Sequence, residues 1–372
     1  MEISSKGSPF PKYSRIASLV RMRTVLLHIV TLSIASASIV GLTYAADPVP
    51  PRAPTVEAMK EAADYSKSQS GETMVVMFDG KVIFEQYDNG GAMDRPHRLA
   101  SGAKCFTGSG AVAAVQDGLI QLDNPASENI PDWKGDPQKS TITYRQLLNM
   151  TSGLTIPAGD DEKRMPFKKQ LAMPMAAKPG ERFQYGGYQL GVFAYALEQK
   201  LAPETFAQYL QRRIFDPIGL KFPARPRPAD GHPAMGPSNV TARDWATYGE
   251  FIRREGNWNH QQILDPALLR GCFNGSKANP AYGLTWWLKS PMSEELIRDA
   301  DADVTKNWGK VANSNWVPDD LVAALGAGQQ RLYVLRSFKL VIVRHGNANE
   351  EFSDLEFLRS FAGVIAIADQ AE

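Results

Sequence analysis

Apolar residues first recur at helical spacing over residues 56–67, which predicts a surface helix. Two strand-like runs follow, 73–78 and 81–87, joined by Asp79-Gly80; that arrangement predicts a tight antiparallel hairpin. From Ser101 the pattern changes. Residues 105–115 are almost all small or apolar and Gly118 follows, so a core helix is expected to start near Ser101 and stop at that glycine. Further helical stretches are predicted from about Thr141 to a loop before Leu154, over 190–201, over 206–215, and from a Thr241 cap to about residue 255. Strand patterns return at 282–288 and in a second hairpin, 330–335 and 339–344, turned at Arg336-Ser337-Phe338. An amphipathic helix over 352–368 ends the pattern. Strands at both ends with helices between them predict an α/β (α+β) fold: an antiparallel sheet flanked by N- and C-terminal helices, with a helical domain inserted. The expected boundaries are 56–98 with 280–372 for the sheet domain and 99–279 for the helical domain.

The first 55 residues stand outside this pattern. Arg21-Met22-Arg23 precedes an apolar run over 25–42, and Thr43-Tyr44-Ala45-Ala46 supplies small residues for cleavage. Residues 1–46 therefore read as a secretory signal peptide cut after Ala45 or Ala46, with a periplasmic or secreted mature chain. The competing expectation is an uncleaved anchor, since the run approaches spanning length; Ser, Thr and Ala dilute it. Met22 is the more ordinary start, so the residues ahead of it read as a misassigned extension. Residues 47–55 are a Pro-rich linker.

Charge adds an exclusion. With 41 basic and 40 acidic residues the net charge is +1, which gives no case for a nucleic-acid partner. The five histidines show no ligand spacing, so neither a metal nor a cofactor is expected. Of the two cysteines, Cys105 reads as a packed core thiol, and a disulfide to Cys272 stays open.

The candidate chemistry lies at the start of the core helix. Ser101 and Lys104 are three apart, which puts both side chains on one helix face, one turn apart. A hydroxyl at a helix N-terminus beside an amine is an activated nucleophile, and the free Ser101 N–H there can bind an oxyanion. Taken alone, the pair fits better a capping serine followed by a solvated lysine. The apolar character of the helix weighs against solvation.

Other segments extend the pattern. Leu147-Leu148-Asn149-Met150-Thr151-Ser152-Gly153-Leu154, then Tyr185 on a loop before a helix, then a Gly-rich approach to a C-terminal strand follow Ser101-x-x-Lys104 in order. Over about residues 56–368 the chain resembles the serine β-lactamase and penicillin-binding-protein-like superfamily, on its class C and esterase side. The resemblance implies a β-lactamase/transpeptidase-like fold with its site in a cleft between the two domains. It implies Ser101 as acyl-forming nucleophile, Lys104 as the group holding its hydroxyl, and Tyr185 as general base. A phenol serves as base near neutrality only where a cation stabilises its anion, and Lys104 would be that cation. Ser101 and one of Gly328, Gln329 or Gln330 would supply the oxyanion N–H groups.

Two departures matter. Gly187 stands where the family's Tyr-x-Asn motif has Asn, and Gly326-Ala327-Gly328-Gln329-Gln330 carries no Lys or His where the third motif has one. These positions help bind β-lactam drugs, so their loss shifts the expectation. It becomes an exported carboxylesterase or amidase that forms an acyl-enzyme on Ser101 and takes a small-molecule ester or amide. The alternatives are a non-catalytic cell-wall or partner-binding module on the same scaffold, and a true β-lactamase or D-Ala-directed peptidase. Gly-x-Ser-x-Gly is absent around Ser101, which disfavours an α/β-hydrolase.

Overall fold

The computed structural model describes residues 50–155, 165–223, 226–299 and 302–365. The predicted signal peptide and most of the linker lie outside them. Among the described residues no helix is long and apolar enough to cross a membrane.

Helix α1 (Val56–Ser68) starts on the Thr55 side chain, which accepts from the Ala58 N–H. Strands β1 (Gly71–Phe78) and β2 (Lys81–Tyr87) form the expected hairpin; Asp79 and Gly80 turn it with φ of 47° and 82°. A short 3₁₀ turn (Ala100–Lys104) then leads into α2 (Cys105–Gln116), which Gly118 ends at φ 71°. Helices α3 (Tyr144–Leu148) and α4 (Tyr188–Leu201) follow, with a Thr143–Gln146 capping box on α3. Thr241 caps α5 (Ala242–Arg253) as its sequence predicts. Strands β3 (Trp287–Leu288), β4 (Leu321–Gly326), β5 (Gln330–Leu335) and β6 (Leu340–Gly346) complete the sheet, and α6 (Asp354–Arg359) follows it.

The sheet runs β2-β1-β6-β5-β4-β3, every neighbouring pair antiparallel. Its first two strands come from the start of the described chain and the other four from its end, so the helices between are an insertion. Three differences from the sequence pattern have physical causes. The expected strand over 282–288 shrinks to β3, because Thr285 takes a positive φ of 70°. Strand β4 is not predicted: Leu321-Val322-Ala323-Ala324-Leu325 is a continuous apolar run, which periodicity does not separate from a buried helix. Helix α5 falls within the 99–279 stretch yet lies on the sheet. A Cβ on its Gly249 would sit 2.7 Å from both Leu332 and Val341, so only glycine permits that approach.

Buried polar groups tie the C-terminal helix to the strand turns. Arg331 Nε and Nη2 donate to Asp354 at 2.6 and 3.2 Å, Arg331 Nη1 donates to the Gly326 carbonyl at 3.0 Å, and the Tyr333 hydroxyl also bonds Asp354. Both charged partners are fully buried. Asp354→Ala leaves an uncompensated guanidinium inside the protein and is expected to cost about 3–5 kcal/mol. Urea unfolding checks this; a loss below about 1 kcal/mol would contradict the pairing.

His345 on β6 is a second buried group of consequence. Its ring stacks on Trp245 at 5.7 Å and lies 5.2 Å from His97. Burial first, then the charges of His97 and Arg344, lower its pKa from the ordinary 6.5 to about 3. The unfolded chain then binds the proton more readily. The stability this group contributes is complete above pH 6.5 and is lost as pH falls toward about 3. His345→Phe keeps the ring stack and has nothing to titrate. Between about pH 6 and pH 4 it should lose less stability than the wild type, by about 1.4 kcal/mol per pH unit. Parallel urea titrations at the two pH values read the difference directly, and identical losses would contradict it.

Candidate active site

The turn that carries the candidate nucleophile is built under strain. Ala100 has φ 47°, a left-handed conformation that a non-glycine residue adopts at a cost of about 1–3 kcal/mol. The turn presents Ser101 at the start of α2. Lys104, one turn on, donates from Nζ to Ser101 Oγ at 2.8 Å. The same Nζ sits 4.7 Å from the centroid of the Tyr185 ring, a cation–π distance. The structure thus brings together all three residues to which the sequence assigns the chemistry, although Tyr185 lies more than 80 positions from the other two.

Helix α5 holds α2 from behind. Trp245 packs against Gly102, where a Cβ would lie 2.8 Å from its ring. The Tyr248 hydroxyl donates to the Cys105 carbonyl at 2.9 Å and shares a 2.7 Å hydrogen bond with Ser109. Cys105 and Cys272 are both buried, free thiols. Burial pushes each up to about 12, so neither thiolate competes with Ser101 near neutrality.

Tyr185 is held by two sets of contacts. Its ring packs on Trp287 at 5.5 Å and stands perpendicular to Tyr282 at 5.7 Å. Trp286, by contrast, faces Tyr248 and Phe273, so of the tandem tryptophans it is Trp287 that supports the base candidate. The second set involves the Leu-Leu-x-x-Thr-Ser-Gly-Leu loop. Gln184 N donates to the Met150 carbonyl at 2.9 Å, and Gly180 N to the Thr151 carbonyl at 2.7 Å. Gln189, fully buried on α4, bridges the two loops. Its Oε1 accepts from Ser152 N at 3.1 Å and from Ser152 Oγ at 2.5 Å, and its Nε2 donates to the Gln184 carbonyl at 2.7 Å. The residue next to Tyr185 is therefore fixed at both its N–H and its carbonyl. No sequence pattern marks Gln189, because its bridging partner Ser152 lies 37 positions away.

Gln189→Leu keeps the volume and removes these bonds. It should lower kcat on an aryl ester about 10- to 100-fold while KM moves less than about threefold. Steady-state kinetics with circular dichroism as a folding control check this, and an unchanged kcat would contradict the positioning role.

The other wall is β4. A Cβ on Gly326 would lie 2.0 Å from the Leu99 carbonyl oxygen and 2.9 Å from the Gly102 nitrogen. The strand backbone therefore rests directly on the nucleophile turn. The Leu321 carbonyl accepts from Lys289 N at 3.2 Å on the β3 side. Backbone groups alternate along a strand, so the Leu325 amide faces that same open edge, as does the Ala327 amide just beyond the strand.

Gly328, Gln329 and Gln330, the sequence candidates for this wall, lie past the contact. Gly328 and Gln329 form the hairpin turn with φ of 76° and 54°. The Gln329 carbonyl accepts from Arg344 Nη1 at 2.8 Å, and its side chain accepts from Asn349 N at 3.0 Å. Gln330 pairs with Gly326 across the hairpin, and its buried amide donates to the Gly346 carbonyl at 2.5 Å. Ahead of Gly326 the strand carries Ala324 and Leu325, both buried, so it offers no cation there. Gly187 stands directly before α4, and its carbonyl accepts the first helical hydrogen bonds.

Comparison with known proteins agrees with this architecture. The family model described as Beta-lactamase matches residues 57–360. A beta-lactamase of Yersinia enterocolitica is 29% identical over 163 residues, covering 40% of this chain and 41% of that protein. The chain thus spans about two fifths of that curated relative's length. Among solved structures, EstCE1, a hydrolase with promiscuous acyltransferase activity, superposes with a TM-score of 0.61 at 17% identity, covering 83% of this chain and 98% of that one. A D-alanine carboxypeptidase AmpC from Burkholderia cenocepacia superposes with a TM-score of 0.60 at 19% identity, covering 82% and 97%. At such identities the superpositions speak to the fold alone. On the extent of the family match, the chain belongs to the beta-lactamase family of the serine β-lactamase and penicillin-binding-protein-like superfamily.

Proposed function

We propose that the protein is an exported serine hydrolase that cleaves small carboxylic esters or amides through an acyl-enzyme on Ser101. The observation that carries this reading is the Lys104 ammonium placed 2.8 Å from Ser101 Oγ and over the face of Tyr185. In this reading Lys104 orients the Ser101 hydroxyl and stabilises the Tyr185 phenolate, which takes the hydroxyl proton. Oγ attacks the carbonyl carbon. The resulting oxyanion is held by the N–H groups of Ser101 and Ala327, the latter chosen because Gly326 seats its strand on the nucleophile turn. Collapse expels the alcohol or amine, which leaves with the proton from Tyr185. Water then repeats the sequence on the acyl-serine and releases the acid. Export rests on the apolar run over 25–42 and the small residues after it.

The absence of a Lys or His ahead of Gly326 favours neutral acyl donors over β-lactams, whose carboxylate needs a cation. A fluorophosphonate or penicillin-type probe tests the proposal. Labelling of Ser101 with loss of aryl-ester turnover supports it. No labelling of a folded protein by any acylating probe would point instead to a binding module on the same scaffold. Rapid hydrolysis of a chromogenic cephalosporin would promote the β-lactamase reading.

A further inference from the structure

At the edge of the sheet, where β3 runs out into Lys289 and Ser290, lies a cavity of about 370 Å³. Lys289, Arg336, Asn274 and Ser290 are among its lining residues, with Phe273 and Asp319. Lys289 is fixed in place, since its N–H bonds the Leu321 carbonyl at 3.2 Å. Its side chain is 7% exposed, and its Nζ has one charged neighbour among the described residues. That neighbour is Asp319 Oδ1 at 3.6 Å, on a side chain that is 88% exposed. Arg336 lies flat on Phe273, with 4.8 Å from guanidinium carbon to ring centroid, and its Nε reaches the Asp320 carbonyl at 3.4 Å. The Asp320 carboxylate accepts from Ser337 N through Oδ2 at 2.6 Å, and its buried Oδ1 has no hydrogen-bond partner among the described residues.

An ammonium whose one charged partner among the described residues stands beyond hydrogen-bond length has donors left over for a ligand. A second cation facing the same space adds repulsion, and an anion between the two relieves it. We propose that this cavity is a binding site for a small oxyanion, a phosphate or a carboxylate, with Lys289 and Arg336 as its charged ligands. The guanidinium offers two parallel donors to one pair of oxygens, and the ammonium takes a third donor–acceptor contact. Asp319 occupies the ammonium in the free protein and swings to solvent when the anion binds. The site is separate from the hydrolytic centre. It lies by the Leu321 end of β4, whereas Gly326 meets the nucleophile turn at the other end, about 17 Å away along the strand.

Isothermal titration of the full chain with inorganic phosphate, and separately with succinate, tests the site. Saturable one-to-one binding of either anion is expected; which one binds identifies the ligand as phosphate-type or carboxylate-type. Lys289→Met and Arg336→Gln should each weaken binding about tenfold or more. Asp319→Asn, a change at an exposed position that leaves folding alone, should tighten it severalfold. Aryl-ester turnover should stay at the wild-type level in the Asp319 variant. The proposal is overturned if neither anion binds saturably up to about 10 mM. It is equally overturned if binding persists unchanged when Asp319 is neutralised or when Lys289 and Arg336 are replaced together.

Discussion

Ser101→Ala is expected to lower kcat/KM for a short-chain aryl ester by about 10⁴-fold or more, to the level left by binding and the oxyanion donors alone. The size follows from the role. With Oγ gone no covalent intermediate forms, and Lys104 and Tyr185 have no hydroxyl to act on. Folding should be unaffected. Among the described residues the Ser101 hydroxyl accepts one hydrogen bond, from Lys104 Nζ at 2.8 Å, and the residue is only partly buried. Thermal melting of the variant within a few degrees of the wild type, together with the lost rate, separates chemistry from structure. Retention of more than about a tenth of the wild-type rate would assign the nucleophile elsewhere.

Tyr185→Phe carries the second large effect. The phenylalanine ring keeps the packing on Trp287 and Tyr282 and the face presented to Lys104. Only the oxygen is removed. A general base is worth about 10²–10⁴-fold in rate, so kcat should fall by that factor while KM stays within about threefold. Acyl-enzyme formation should slow along with overall turnover, because the proton leaves Ser101 in the first step. Rapid-quench measurement of acylation reads this directly. An acylation rate equal to that of the wild type would leave Tyr185 as a packing residue beside Phe183 and Tyr282.

The nucleophile helix was legible in the sequence because its signals are local. A three-residue spacing, a run of small apolar residues and a terminal glycine each act within a few positions. The Asp79-Gly80 hairpin and the Thr241 cap are legible for the same reason. Strand β4 was not, since a strand buried on both faces loses the alternation that marks an exposed one. The strand end is hard to place for a related reason: the run from Gly326 to Gln330 reads as a plain turn into a strand, and only the packing shows that the close contact with the Ser101 turn belongs to Gly326. Gln189 and Trp287 illustrate a different limit. Each acts on a residue far away in the chain, Ser152 for one and Tyr185 for the other. Such pairings are set by tertiary packing, and no single-sequence pattern encodes them. The lone signal for α5 lying on the sheet was Gly249 within an otherwise ordinary amphipathic helix.

Interception of the covalent intermediate bears most directly on the whole account. The full chain is mixed with an excess of a slowly turned-over aryl ester, quenched in acid within the first turnover, digested and weighed by mass spectrometry. One added acyl group is expected, carried by the peptide that contains Ser101 and absent from Ser101→Ala. Turnover of the ester with no acyl adduct on that peptide would contradict it.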